Sequence, residues 1–174
     1  CKNSSGGDCD AGDVFDGGAV DVSGLEIAGS WIFEGDGVSY PVGLTYTSTD
    51  ATFETSFDNG DYWGTVAAGD DVPYIPSSSM ALIVGFVTDN GLSGNMRLVD
   101  NGSSCSTAAC GVNQTIDAHS FLDLNLRKAL NENMDVYMVM ENVLDSEDVV
   151  ARAPKDGIRT QKPATMKVGF AYKF

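Results

Sequence analysis

His119 is the chain's one histidine, and Cys1, Cys9, Cys105 and Cys110 are its four cysteines. A Ser/His/Asp set, an HExxH zinc motif or a CxxC redox pair would need partners or spacings that this sequence lacks. His119 reads as a solvated polar residue where a loop meets a strand. No catalytic residue, metal ligand or cofactor site is assigned, and the expected chemistry is binding.

Two stretches could bind. Asp58, Asp61, Tyr62, Trp63, Asp70, Asp71 and Tyr74 gather in one Gly- and Asp-rich segment. Aromatic rings with a few placed polar groups are what small-molecule sites use, so Tyr62, Trp63, Asp70, Asp71 and Tyr74 are the candidate substrate contacts. The competing reading is an aromatic girdle at strand ends beside acids that keep the surface solvated. Arg152, Lys155, Arg159 and Lys162 form a basic segment. Fixed cations of this kind pair with carboxylates on a substrate, with lipid phosphates, or with acids of the chain such as Asp123 and Glu141. The last, structural role is the one expected here. Asp8, Asp10, Asp13 and Asp16 surround Cys9 and suggest a hard cation such as calcium, but the closing bidentate Glu of an EF-hand loop is missing.

The cysteines fall as two close pairs inside Gly/Ser/Asp-rich segments. Local pairing, Cys1 with Cys9 and Cys105 with Cys110, closes short loops and needs no distant contact. Two such disulfides imply an oxidising, cell-surface or periplasmic location. Cys1 has a rival role as the lipid-bearing first residue of a bacterial lipoprotein, which acylation detected by mass spectrometry would establish.

Composition limits the elements that hold these groups. The chain is 43% hydrophobic and 20% charged, and no stretch approaches the roughly 20 apolar residues of a membrane-spanning helix. Twenty-five acidic against ten basic residues give a net charge of -15, which excludes a nucleic-acid partner and disfavours a polybasic membrane-surface role. Between Cys1 and Met96 the only basic residue is Lys2. Glycines and turn formers with no long helical period make the chain all-β.

The end of the chain shows the pattern most plainly. Met166, Val168, Phe170, Tyr172 and Phe174 share one face of a strand, and Lys167, Gly169, Ala171 and Lys173 share the other. An oily face ending on an aromatic at the C-terminus points to a transmembrane antiparallel β-barrel. Six further strands are expected: residues 18–33, with Leu25, Ile27, Trp31 and Phe33 on one face; 40–57; 78–88; 93–99; a fifth carrying Leu122, Leu124 and Leu126 against Asp123, Asn125 and Arg127; and 134–144. Asn90-Gly91 is expected to make a tight hairpin with both residues at positive φ. Short turns alternate with long loops at 58–76, 101–118 and 146–164, as tight periplasmic turns alternate with extended outer loops in such barrels. An odd set of about seven strands leaves unpaired edges that lipid does not tolerate. The chain is therefore expected to be the C-terminal piece of a larger barrel, residues 1–17 being an outer loop and 18–174 its strands and loops.

Several segments resemble TonB-dependent outer-membrane receptors. Val22-Ser-Gly-Leu-Glu26, residues 44–53 and Val72-Pro-Tyr-Ile-Pro76 are similar to strand patterns of that family, and Met140-Glu-Asn-Val-Leu-Asp145 fits its "vxNLfD" motif. Residues 157–174 fit its C-terminal "GxRPGxPRtxxvGxxyxF", with Thr160-Gln161 in place of Pro-Gly and Ala164 where Arg is frequent. The resemblance implies the last seven strands of a 22-stranded barrel with a plugged lumen, the plug itself lying outside this chain. It also implies Phe170, Tyr172 and Phe174 as the C-terminal signature read by the barrel-assembly machinery. The implied function is import of a ferric siderophore or other scarce nutrient across the bacterial outer membrane, with the TonB complex and outer-membrane lipids and lipopolysaccharide as partners. A passive pore, or a lipid-anchored surface β-domain that binds a partner, are the alternatives.

Overall fold

Strict alternation of apolar with small or polar side chains lets a strand present two different faces, and this chain repeats the device until strands account for its whole framework. The computed structural model describes residues 18–59, 64–152 and 157–174. In chain order the strands are β1 (Val20–Gly35), β2 (Val38–Phe53), β3 (Phe57–Asn59), β4 (Gly64–Val66), β5 (Ser78–Thr88), β6 (Leu92–Asn101), β7 (Ser104–Cys105), β8 (Thr115–Ile116), β9 (His119–Asn131), β10 (Met134–Glu141), β11 (Val149–Arg152), β12 (Ile158–Thr160) and β13 (Thr165–Tyr172). Seven of them form one antiparallel sheet in the order β1-β2-β5-β6-β9-β10-β13. The six short strands pair as three hairpins, β3-β4, β7-β8 and β11-β12, one in each long connection.

Because directly opposed residues share a face, the register carries one apolar row across the sheet. Trp31 opposes Val42, Val42 opposes Val84, Val84 opposes Met96, Met96 opposes Leu124, Leu124 opposes Met140 and Met140 opposes Met166. The neighbouring rows Leu44-Leu82-Leu98-Leu122 and Gly94-Leu126-Met138-Val168 continue it. Among the described residues nothing covers this face: Trp31 is 53%, Val168 71% and Phe170 70% exposed. In water such a patch would be an aggregation site.

The opposite face is mixed and held by polar contacts. Arg97 lies 3.8 Å from Asp123 and over the Phe121 ring, Arg127 donates to Asp135 at 2.5 Å, and Asn125 donates to Asn95 at 3.1 Å. Tyr137 lies over Gly169, its strand partner, where a Cβ would come within 2.5 Å of the phenolic oxygen.

The structure departs most from the sequence expectation at two strand ends and one turn. The second strand ends at Phe53, four residues early, because the Phe53 ring turns into a small core under the loops. The sixth ends at Glu141 because Asn142 enters the left-handed region at φ 50°. The turn between β5 and β6 is a three-residue loop in which Gly91 alone takes positive φ, at 80°, while Asn90 uses its side chain to accept the Leu92 amide.

Candidate functional site

The three long connections leave the same end of the sheet and make one layer. Phe53, Val66 and Ala108 are its buried core, with Phe57 and Val72 packed against them. The Phe53 and Phe57 rings meet edge to face at 5.3 Å. Ala108 comes from the second loop and the rest from β2 and the first loop, so an apolar nucleus ties two connections together.

Each loop is fastened by its own polar clamp. In the first, Asp70 accepts the Ala67 amide at 2.8 Å and the Phe53 amide donates to the Asp70 carbonyl at 2.9 Å. In the second, Cys105 and Cys110 form a disulfide, with Cα atoms 5.4 Å apart, and Gln114 accepts from the Gly111 amide at 2.8 Å and from the Thr107 hydroxyl. In the third, the buried Asn142 side chain donates to the carbonyls of Ser146 at 3.0 Å and Lys162 at 2.8 Å and accepts the Ser146 amide at 3.2 Å. Its own amide donates to the Asp123 carboxylate at 3.0 Å, and Asp145 accepts the Ala164 amide at 2.8 Å. The Asn and Asp of the Asn142-Val-Leu-Asp145 motif thus pin both ends of that loop.

The loops also bind one another. Tyr74, at φ 63°, donates its amide to the Cys105 carbonyl at 2.8 Å and its hydroxyl to the Arg152 carbonyl. Arg152 donates through Nε to the Thr115 carbonyl at 2.9 Å, which joins the third loop to the second.

These contacts redistribute the residues picked from the sequence. Asp70, Tyr74 and Arg152 build the loop layer, and Asp71 is exposed beside a backbone bridge to Thr52. Lys162 pairs with Glu141 at 2.6 Å, and Lys167 reaches the same carboxylate oxygen at 2.7 Å. Arg159 is exposed on β12. Among the described candidates, the structure joins Tyr74 to Arg152 through the Tyr74 hydroxyl and the Arg152 carbonyl, while Lys162 pairs with Glu141 instead. Asp61, Tyr62, Trp63, Lys155, Cys1, Cys9, Asp8, Asp10, Asp13 and Asp16 lie outside the described residues. Phe170 and Tyr172 stand on the apolar face, with Phe174 edge-on to Tyr172 at 5.2 Å.

His119 has both ring nitrogens engaged: Nδ1 donates to the Asp117 carbonyl at 3.0 Å, and Nε2 accepts from Asn101 Nδ2 at 3.4 Å. It shares with Phe121, Asp123, Glu141, Gln161 and Lys162 a cavity of about 380 Å³ on the inner face below the third loop. Gln161, which replaces a glycine of the family pattern, holds this wall by donating its amide to the Asp148 carbonyl at 2.9 Å and its side chain to the Ser120 carbonyl at 3.2 Å. Its lining carries two carboxylates, Asp123 and Glu141, against one lysine, Lys162, which is paired with Glu141, so the cavity offers polar contacts without a surplus of positive charge. Neither Asn142 nor Gln161 was singled out by composition or spacing.

No protein-family model matches the sequence, and no curated protein matches it. Solved structures do. The ferric-catecholate import receptor Fiu of E. coli K12, in its closed form, has 21% identity and a TM-score of 0.69 over 89% of this chain and 21% of that one. The ferric yersiniabactin uptake receptor FyuA of Yersinia pestis has 17% identity and a TM-score of 0.70 over 89% of this chain and 24% of that one. The chain thus spans a quarter or less of the length of these receptors. With its open sheet, one bare apolar face and loops gathered at one end, it has the fold of a seven-stranded stretch of these receptors.

Proposed function

We propose that this chain is the C-terminal stretch of an outer-membrane receptor that imports a ferric chelate using energy from the TonB complex. The observation that carries the reading is the unbroken apolar row from Trp31 to Met166, backed by a polar, ion-paired inner face. Lipid tails cover such a row at no polar cost. From Leu25 to Phe33 it is roughly 20 Å tall at about 3.3 Å per residue and a tilt of about 40°. That is close to the apolar band of a transmembrane barrel.

In this reading the short turns face the periplasm and the loop layer faces outward, where lipopolysaccharide surrounds it. The free edges of β1 and β13 pair with barrel strands outside this chain, since backbone groups exposed to lipid would each cost several kcal/mol. Phe170, Tyr172 and Phe174 supply the aromatics engaged by the barrel-assembly machinery. A plug in the complete receptor meets the inner face, and the chelate contacts the loop layer.

Growth on a panel of ferric chelates as sole iron source tests this, using a strain whose own import receptors are deleted and that carries the full receptor. Growth on at least one chelate that stops when TonB is deleted is expected. Uptake that persists without TonB would select a passive pore instead.

A further inference from the structure

Between the first and second loops lies a second cavity, of about 420 Å³, apart from the one below the third loop. Thr49, Asp50, Asp71, Ser77, Ser103 and Ser104 give it a polar lining, and Val72, Ile75 and the Cys105–Cys110 disulfide an apolar one. No lysine, arginine or histidine lines it among the described residues. Its walls are set by backbone contacts rather than by side chains. The Val72 amide donates to the Ala51 carbonyl at 2.9 Å, Thr49 to Ser77 at 3.0 Å and Ser77 to Ser103 at 3.3 Å. The two carboxylates and the hydroxyls of Thr49, Ser77, Ser103 and Ser104 make no side-chain hydrogen bond among the described residues.

That inventory defines what fits. Carboxylates only accept hydrogen bonds, whereas hydroxyls both donate and accept. An anion meets two like charges with no cation to offset them. A metal ion would find two carboxylates only, and no group of three or more His, Cys, Asp or Glu that could hold one occurs among the described residues; an ammonium answers the carboxylates but leaves the hydroxyl protons without an acceptor on the ligand. A neutral polyol does both, and its C–H face packs on Val72, Ile75 and the disulfide as an apolar wall requires. We propose that this cavity binds a neutral saccharide of one or two rings, at a site distinct from the lysine-bearing cavity below the third loop.

Saturation-transfer NMR tests this on the full receptor, purified in a detergent without a sugar headgroup, with glucose, galactose, mannose and N-acetylglucosamine at millimolar concentration. At least one sugar should show transfer, and Asp71→Asn or Asp50→Asn should weaken it about tenfold, while Lys162→Gln leaves it unchanged. A thermal melt of each variant matching the parent separates lost binding from lost folding. Transfer from no sugar, transfer equal in the Asp variants, or displacement of the sugar by tetramethylammonium would each overturn the assignment. Because the growth assay reads the chelate, failure here leaves the import reading standing.

Discussion

Asn142 concentrates more structure than any other described side chain of the third loop. It sits at positive φ, is 5% exposed, and bonds to Ser146, Lys162 and, through its amide, Asp123. An alanine there loses three side-chain hydrogen bonds and strains the backbone, so Asn142→Ala should destabilise the loop by about 2–3 kcal/mol. Hydrogen exchange should then show faster exchange over residues 143–164 and little change in β9. The motif around Asn142 was visible in the sequence, but its reason was not, because each partner lies across a turn whose path depends on the left-handed residue itself. At Gly169 the constraint is steric. A side chain would strike Tyr137, and Gly169→Val should cost about 1–3 kcal/mol of unfolding free energy, partly recovered when Tyr137→Ala is added.

Strands were the legible elements, since a period of two survives in sequence wherever one face is apolar and the other is not. Leu122, Leu124 and Leu126 against Asp123, Asn125 and Arg127 show it, and β9 places the two sets on opposite faces. The three loop hairpins were not legible, because strands of two to four residues are too short to display a period. Contacts such as Tyr74 to Arg152 join residues 78 positions apart and leave no local trace. Two predictions belong at this scale. Met138→Arg, on the apolar face, should lower the stability of the receptor refolded into lipid vesicles by about 2–4 kcal/mol, whereas Asn125→Arg, on the inner face, should change it little. Removing the Cys105–Cys110 disulfide as the double serine variant should cost about 2 kcal/mol for so short a closed loop. Because Cys105 also receives the Tyr74 amide, limited proteolysis should show the first loop loosening with the second.

For the molecule as a whole, two surfaces of opposite character explain each other. One face buries little and is apolar from β1 to β13, and the other is knitted by Arg97, Arg127, Lys162 and Lys167 to their acids. A water-soluble sandwich would do the reverse, packing its leucines inward. The most direct measurement is accessibility of single spin labels in the receptor reconstituted into bilayers, at 124, 138 and 168 on one face and at 125, 137 and 167 on the other. Labels at 124, 138 and 168 are predicted to collide freely with dissolved oxygen and hardly at all with a water-soluble nickel chelate, while 125, 137 and 167 show no such preference. If 124, 138 and 168 were shielded from both reagents, as in a dry protein core, the lipid-facing account would be contradicted.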